Sequence, residues 1–212
     1  MRDITELMQK ALELKGKGLT TGEIADEFNV SRETALWLIT REAEKREEAP
    51  PKDIHIDWSN IGSNPAVLKH LSLALGELIE ETLKENDLPQ PDVIAGIATS
   101  GIPLAALIAE KMNASLTVIR PNKHLWEPGE GKETEQTGFI LSNFADVKGK
   151  NIVIVDDIAT SGTTLKETVK LLSDLGANPV AAAVMIDKKG IKSIGSTPVK
   201  ALVSVSIVGE LK

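Results

Sequence analysis

The stretch that decides the fold is IVIVDDIATSGTT, residues 152–164. Four β-branched apolar residues, Ile152–Val155, precede two adjacent carboxylates, and such an unbroken apolar run predicts a buried strand of a parallel sheet. A turn of small residues follows, and a helix is predicted over Thr164–Leu175. Open α/β sheets bind ligands beyond the carboxyl ends of their strands, so Asp156 and Asp157 are predicted at a binding edge.

The turn after the carboxylates has the composition of an anion-binding loop. Its side chains are small and include one glycine, so its backbone amides can approach a phosphate, and the helix N-terminus that follows favours negative charge. Carboxylates accept hydrogen bonds from hydroxyl groups, which suits a ribose diol. The predicted ligand is therefore a ribose 5-phosphate. Asp156 and Asp157 are assigned to the diol, and the phosphate is assigned to Ala159, Thr160, Ser161, Gly162, Thr163 and Thr164. The alternative is a solvated acidic turn, which is disfavoured because adjacent acids at a buried edge repel each other.

Composition places the chain among soluble globular proteins. Of its 212 residues, 42% are hydrophobic and 26% are charged, and no run of 18 apolar residues predicts a membrane-spanning helix. The absence of cysteine excludes disulfides and thiolate zinc sites. The N-terminal segment carries acidic residues and is not typical of a signal or transit peptide, so a cytoplasmic location is predicted.

The charged and proline-containing segment KREEAPPK, residues 45–52, predicts a break between two domains. We expect an all-α domain over 1–48, a linker over 49–53 and an α/β domain over 54–212, because strand and helix patterns alternate after the break. The predicted elements are strands Val93–Ile97, Leu116–Ile119, Ile152–Val155, Val180–Met185 and Lys200–Val205, and helices Ile102–Lys111 and Thr164–Leu175. The polar segment Pro121–Thr137 predicts a long mobile loop.

Residues 1–48 predict three helices. The first covers Asp3–Lys15, the second begins at a capping box formed by Thr20 and Glu23, and the third begins at Ser31 and runs to about Lys45. The segment TTGEIADEFNVSRETALWLI resembles a helix-turn-helix DNA reader, in which the start of the last helix enters the major groove. The predicted DNA-contacting residues are Ser31, Arg32, Glu33, Thr34, Trp37 and Arg41.

The charge of this N-terminal segment weighs against DNA binding. It carries eight basic and eleven acidic residues, a net charge of −3, within a chain of net charge −7. DNA affinity comes largely from phosphate contacts, so a two-fold dimer presenting two recognition helices is expected. The alternative is a helical oligomerisation or docking module.

The segment VDDIATSGTT resembles the phosphoribosyl diphosphate (PRPP) loop of the type I phosphoribosyltransferases. This resemblance implies a doubly wound, mainly parallel sheet with a hood segment. It also implies Asp156 and Asp157 as ribose ligands, with Mg²⁺ held mostly through PRPP. The segment ATSGIPLA adds Thr99, Ser100 and Gly101 as diphosphate-loop residues. Lys188 is a weak candidate for a base contact, and Asp53–Leu71 resembles the hood.

Departures from the pattern of this family indicate that transfer chemistry is lost. Orotate phosphoribosyltransferases carry a lysine where this chain has Ser100, and an Arg-Lys-Glu sequence where it has Arg120 followed by proline. Arg120, Lys123 and His124 remain candidates for catalysis if the domain is active. An active orotate or purine phosphoribosyltransferase using PRPP and Mg²⁺ is the alternative function.

Nearly the whole chain resembles the archaeal transcriptional regulators of glucose and fructose catabolism. The resemblance is carried by LTTGEIADEFNVSRETALWL, DIHIDWSNIG, NKHLWEPGEG, VDDIATSGTT and VMIDKKG. It implies a helix-turn-helix domain joined to a phosphoribosyltransferase-like effector domain. The implied partners are promoter DNA, a phosphorylated ribose or sugar effector and a second copy of the chain, with no membrane partner.

Overall fold

The structure is a computed structural model that describes residues 4–44, 51, 53–122 and 138–206. The chain forms two compact units, Met1–Asn60 and Ile61–Lys212. No helix among the described residues is long and apolar enough to cross a membrane.

The first unit contains the three predicted helices, α1 (Ile4–Gly16), α2 (Thr21–Glu27) and α3 (Arg32–Glu44). The predicted capping box starts α2: the Glu23 N–H donates to the Thr20 hydroxyl at 3.2 Å, and the Thr20 N–H donates to the Glu23 carboxylate at 2.7 Å. Asn29 has φ of 54° in the α2–α3 turn, a left-handed conformation that asparagine tolerates better than most residues. These helices enclose a core that includes Ala11, Ile24, Ala25, Phe28, Val30, Ala35, Trp37 and Leu38.

The second unit is an α/β domain. Its helices are α4 (Ser59–Gly62, at the boundary between the units), α5 (Pro65–Glu85), α6 (Gly101–Met112) and α7 (Thr163–Asp174). Its strands are β1 (Val93–Ile97), β2 (Ser115–Asn122), β3 (Gly138–Leu141), β4 (Asn151–Ala159), β5 (Asn178–Asp187), β6 (Ser193–Ile194) and β7 (Thr197–Ser204).

The strands form one sheet in the order β3-β2-β1-β4-β5-β7-β6. The pairs β1–β2, β1–β4, β4–β5 and β5–β7 are parallel, whereas β2–β3 and β6–β7 are antiparallel. The chain runs from β1 outward to β2 in one direction and from β4 outward to β5 in the other. The order therefore reverses between β1 and β4, which is where open α/β sheets form a ligand crevice.

Helices cover both faces of the central strands. Leu165 and Leu172 of α7 are buried in a core with alternate residues of β1 and β4, including Val93 and Ile152. On the other face α6 lies so close to β1 that a Cβ added at Gly96 would be 2.8 Å from the Ala105 Cβ. Alternate strand residues thus point to opposite helix layers, which explains why the central strands are continuously apolar.

Several elements differ from the sequence predictions. The strand predicted over Ile152–Val155 continues to Ala159, so both aspartates and Ala159, the first residue of the predicted turn, belong to β4. Pro121 lies in β2, not in a loop, because it pairs with Phe139 of β3. The strand β3 and the long helix α5 were not predicted. The rest of the expected loop lies outside the described residues.

The predicted linker was 49–53, with the second domain starting at residue 54. The structure instead groups residues through Asn60 with the first unit. The predicted hood segment, Asp53–Leu71, is accordingly divided. Its first part belongs to the helical unit, and its last part forms the start of α5, which packs on α6, β5 and β7.

Candidate functional site

Two loops meet at the point where the strand order reverses. One follows β1 and contains Thr99 and Ser100, which are both exposed, and the other follows β4. Gly101, the first residue of α6, is packed against β4: an added Cβ would be 2.6 Å from the Val155 carbonyl oxygen and 3.0 Å from the Asp156 Cα. Only glycine permits this approach, so the two loops that were predicted separately from sequence form one site.

The paired carboxylates are buried at this edge of the sheet. Asp156 is 7% exposed and Asp157 is 8% exposed, and the Asp157 N–H donates to Asp156 Oδ1 at 2.9 Å. A solvated acidic turn would expose these side chains, so that alternative interpretation is wrong. Burying a carboxylate costs free energy unless hydrogen bonds or opposite charges compensate for the lost water. Ligand-binding sites are a common place for such buried carboxylates.

The loop that is predicted to bind phosphate, residues 159–164 and here called the phosphate loop, leads directly into α7. Gly162 is the N-terminal cap of α7 with φ of 80°, so the cap position has no side chain, and the Thr163 N–H of the first turn donates to the Ser161 hydroxyl at 3.3 Å. The Ser161 hydroxyl donates to Thr163 Oγ1 at 3.0 Å, and both residues are exposed. The first turn of α7 therefore offers backbone N–H groups and hydroxyls at an accessible helix N-terminus, which is a favourable site for an anion.

The loop after β5 supports the phosphate loop. The Lys188 N–H donates to the Ala159 carbonyl at 2.9 Å. A Cβ added at Gly162 would lie 2.5 Å from Ile191 Cδ1, so Ile191 backs the loop directly. Lys188 is half-buried, and its backbone position beside Ala159 brings the predicted base-contact residue to the same site.

Asp187 holds this supporting loop in place, a role that sequence reasoning missed. Its buried carboxylate accepts from the N–H groups of Lys189 at 2.8 Å, Gly190 at 2.9 Å and Ile191 at 2.6 Å. The signal was available as an aspartate followed three residues later by glycine, a pattern typical of turns ordered by a side-chain acceptor.

The structure describes fewer of the residues expected for transfer chemistry than of those expected for ligand binding. Ser100 caps α6 without a side-chain hydrogen bond to it, and Arg120 is exposed on β2. Lys123 and His124 lie outside the described residues. No group of three or more possible metal-binding side chains occurs among the residues that the structure describes. Asp156 and Asp157 are hard oxygen donors of the kind Mg²⁺ prefers, but two carboxylates suit an ion held mostly by its ligand.

A second anion-compatible helix end occurs in the first unit, at the start of α3. Here the Thr34 N–H donates to Ser31 Oγ at 3.1 Å, so Ser31 is the predicted cap. The Asp53 carboxylate also occupies this end. Its Oδ2 accepts from the Ser31 N–H at 2.6 Å and from the Thr34 hydroxyl at 2.8 Å.

The residues Asp53–Ile56, here called the strap, contact the turn between α2 and α3. His55 Nδ1 lies 2.7 Å from the Phe28 carbonyl oxygen, and the Asn29 amide donates to the Ile56 carbonyl at 3.4 Å. The His55 and Phe28 rings meet edge to face at a centroid distance of 6.2 Å. These contacts explain why the strap belongs to the helical unit.

The exposed face of α3 differs from the predicted one. Arg32 and Glu33 are exposed as expected, and Leu36 is 51% exposed. Trp37 is only 9% exposed and belongs to the core, so its assignment as an outward-facing DNA contact is wrong. Arg41 is held over the Trp37 ring, with its Cζ 4.7 Å from the ring centroid. Leu36 was not among the predicted DNA-contacting residues.

Comparison with known proteins agrees with this architecture. Residues 57–206 match the sequence model of the family described as "Phosphoribosyl transferase domain". The chain is 44% identical to "Transcriptional regulator GfcR" of Methanocella arvoryzae over 98% of this chain and 100% of that protein. The chain belongs to the GfcR family. A protein of the same name from Haloferax volcanii is 41% identical over 99% of this chain and 100% of its own length.

Solved phosphoribosyltransferases share the fold of the second unit of this GfcR-family chain. Adenine phosphoribosyltransferase from Saccharomyces cerevisiae superposes with a TM-score of 0.56 at 23% identity, covering 74% of this chain and 90% of that chain. Orotate phosphoribosyltransferase from Aeropyrum pernix gives a TM-score of 0.51 at 20% identity, covering 73% and 81%. The type I phosphoribosyltransferase fold, with its mostly parallel sheet, is therefore present.

Proposed function

We propose that this protein is a DNA-binding transcriptional regulator whose second unit senses PRPP or a related phosphorylated ribose compound. The observation that carries the proposal is a sheet edge at which two buried carboxylates precede an accessible helix N-terminus, while Ser100, in the neighbouring loop, is uncharged. Curated relatives over nearly the full chain are named transcriptional regulators, which supports the first half of the proposal.

Support for the ligand comes from the edge between β1 and β4. Buried Asp156 and Asp157 supply acceptors for a diol, and the accessible start of α7 supplies donors for the 5-phosphate. Thr99, Ser100 and Gly101, whose loop packs against β4 at Gly101, are proposed to bind the diphosphate. With Mg²⁺ bound, the ion would neutralise that diphosphate and be held mainly through it.

The proposed sensor is not an efficient transferase. Transfer requires positive charge on the departing diphosphate, which a hydroxyl cannot supply. Ser100 occupies the loop position at which the orotate enzymes place a lysine, and it is uncharged. In the described part of β2, the cationic side chain is that of Arg120, which is exposed just before the expected catalytic loop.

Support for DNA binding comes from the first unit. The capping box, the left-handed Asn29 and the buried Ala25 and Val30 give a compact α2–turn–α3 arrangement typical of a helix-turn-helix. The exposed start of α3 is the part that would enter the major groove of promoter DNA. A homodimer supplies the second recognition helix that an acidic unit needs for useful affinity.

Regulation requires the ligand to bind two states with different affinity. We infer that ligand binding to one state of the dimer changes its affinity for operators that control genes of central sugar metabolism. The sugar-metabolism role follows from the resemblance to the glucose and fructose regulators.

The first experiment is calorimetric titration of the full-length protein with PRPP, with and without Mg²⁺, together with a diphosphate-release assay using orotate, uracil, hypoxanthine, guanine and adenine. Binding without release is the expected result. Rapid base-dependent release would instead establish an active phosphoribosyltransferase, and the absence of binding would remove PRPP as the ligand.

An Asp156→Asn/Asp157→Asn variant tests the site directly. Loss of two charged acceptors is expected to weaken PRPP binding by about a hundredfold or more while the fold is retained. The matched control is Glu110→Gln/Asp174→Asn, which removes the same charge near the far ends of α6 and α7. Equal loss of binding in both variants, or unchanged binding in the first, would place the effector site elsewhere.

A further inference from the structure

The start of α3 presents an unusual exposed face. Arg32, Glu33 and Leu36 are exposed, whereas the neighbouring Ala35, Trp37 and Leu38 are buried in the core. Leu36 lies one helical turn after Arg32, so both side chains are on the same outward face. Leu36 therefore stands exposed beside Arg32 and Glu33 at the part of α3 that is proposed to enter DNA, whereas Ile39, the next apolar residue on this face, is partly buried against the core.

The chemistry of the major groove offers one partner for such a side chain. Bases present hydrogen-bond donors and acceptors there, and the exception is the C5-methyl group of thymine, which is apolar. Burying leucine against polar base edges would leave those edges without hydrogen-bond partners. Contact with a thymine methyl removes apolar surface from water on both sides.

We propose that Leu36 is a specificity-determining residue that contacts the C5-methyl group of a thymine in the operator. The inference rests on the proposed DNA binding and goes further by naming a base. Arg32 supplies the guanidinium that pairs with guanine O6 and N7, and Glu33 supplies an acceptor for the cytosine amino group.

Helix geometry limits where this thymine lies. Four residues of α-helix advance about 6 Å, which is close to two base-pair steps of about 3.4 Å. The thymine read by Leu36 is therefore expected within about two base pairs of the guanine read by Arg32. Arg41 adds no base contact in this scheme, because its guanidinium is held over the buried Trp37 ring.

A protein partner fits this face less well. Protein-binding patches are contiguous apolar surfaces of several hundred Å², with charged residues depleted from their centres. Here one leucine is flanked by Arg32 and Glu33. This mixture of charges with one apolar contact matches the edges of bases.

The test begins with selection of binding sites from a random duplex pool by the full-length protein. Each thymine of the selected site is then replaced by uracil, as deoxyuridine, which removes only the methyl group. We expect one replacement per half-site to weaken binding about three- to fivefold, the effect of one buried methyl group. The Leu36→Ala variant is expected to bind thymine and uracil sites equally.

Two further variants sharpen the test. Leu36→Gln is expected to shift the selected base from thymine to adenine, because glutamine pairs with adenine N6 and N7. Ile4→Ala, which shortens a 43% exposed apolar residue of α1, is the control and is expected to retain full methyl discrimination.

The outcomes separate this inference from the proposed function. Failure to enrich any sequence would overturn DNA binding and the Leu36 inference together. Enrichment of a site that tolerates uracil at every position would overturn the Leu36 inference alone. Retention of methyl discrimination by Leu36→Ala would do the same. Circular dichroism is expected to show an unchanged helical fold, because Leu36 is outside the core.

Discussion

The first-turn N–H groups of α3 and α7 both need hydrogen-bond partners, and the two helices differ in which groups accept from them. Each presents backbone N–H groups without helical partners and the positive end of a helix dipole. At α3 the Ser31 hydroxyl and the Asp53 carboxylate fill the end. At α7 the cap is Gly162, which has no side chain, and the Thr163 N–H donates to the neutral Ser161 hydroxyl at 3.3 Å, so a hydroxyl rather than a carboxylate meets this end.

This difference indicates which helix end is available to an external anion. The α7 end lies beside two buried carboxylates and suits a phosphorylated ligand. The α3 end is already occupied by an anion that belongs to the chain, so a DNA phosphate gains little there. Proposed DNA recognition therefore depends on the exposed side chains of α3 more than on its N-terminus.

Within this comparison of helix ends, the largest expected effect comes from disturbing the accessible end of α7. Gly162→Ala forces a side chain into φ of 80° and places a Cβ 2.5 Å from Ile191 Cδ1. The loop must shift, and PRPP affinity measured by calorimetry is expected to fall about tenfold, a typical consequence of 1–3 kcal/mol of backbone strain.

Two variants identify the origin of that loss. Gly162→Ala/Ile191→Ala removes the clash but keeps the strained φ, so it is expected to recover part of the affinity. Gly62→Ala adds a Cβ in open space and is expected to bind normally. Unchanged affinity of Gly162→Ala would mean that the α7 end does not hold the phosphate.

Local signals in the sequence were sufficient to predict the strand, loop and helix that form the proposed ligand edge. The apolar run before Asp156 and the small residues before Thr163 specify strand, loop and helix from neighbouring residues alone. Their position next to Gly101 required the β1–β4 pairing, which depends on residues more than 50 positions apart. The site was therefore predicted in pieces, and only the fold shows them together.

The missed features depend on distant partners. The strand β3 exists because it pairs with β2 across residues that no local pattern connects, and its Ile140 is 50% exposed, so it lacks a buried-strand pattern. The strap contacts residues 19–27 positions away. Trp37 was predicted to face outward, but it is buried and the adjacent Leu36 is exposed, because a periodic apolar pattern leaves a one-residue ambiguity in which face is buried.

A moderate effect is expected from opening the closed end at α3. Asp53→Ala removes the acceptor for the Ser31 N–H and the Thr34 hydroxyl, which is expected to destabilise the first unit by about 1–2 kcal/mol, as for loss of a helix cap. Hydrogen exchange of the first-turn α3 amides is the measurement. Asp53→Asn keeps an oxygen acceptor and is expected to lose less.

Sulfate addition connects this variant to the comparison. If Asp53 fills an anion position, sulfate should restore protection of the α3 amides in Asp53→Ala and have little effect on the wild-type α3. Glu27→Gln removes an exposed charge from the same unit and is the control. Equal sulfate effects in all three proteins would show that the two helix ends do not differ in the proposed way.

The smallest expected effect concerns α6, which has an uncapped N-terminus at the site and a supported C-terminus away from it. In its last turn, the Lys111 ammonium lies 2.5 Å from Glu80 Oε1 and 3.2 Å from Glu77 Oε1, and its stem packs over Gly76 of α5. The hydrogen bond with Glu80 raises the pKa of Lys111 despite the opposing effect of burial. The ion pair therefore anchors α6 from the end that does not bind ligand.

Lys111→Met keeps most of the stem and removes this charge, and is expected to destabilise the second unit by about 1 kcal/mol or less, because both glutamates are substantially exposed. The folded state holds the proton more tightly than the unfolded state. The wild-type advantage is therefore complete below the ordinary lysine pKa of about 10.5 and declines as pH rises further. Chemical denaturation at neutral pH and above pH 10.5 measures both values. A difference that grows with pH would contradict the assignment, whereas PRPP affinity should remain unchanged because the pair supports α6 away from the ligand.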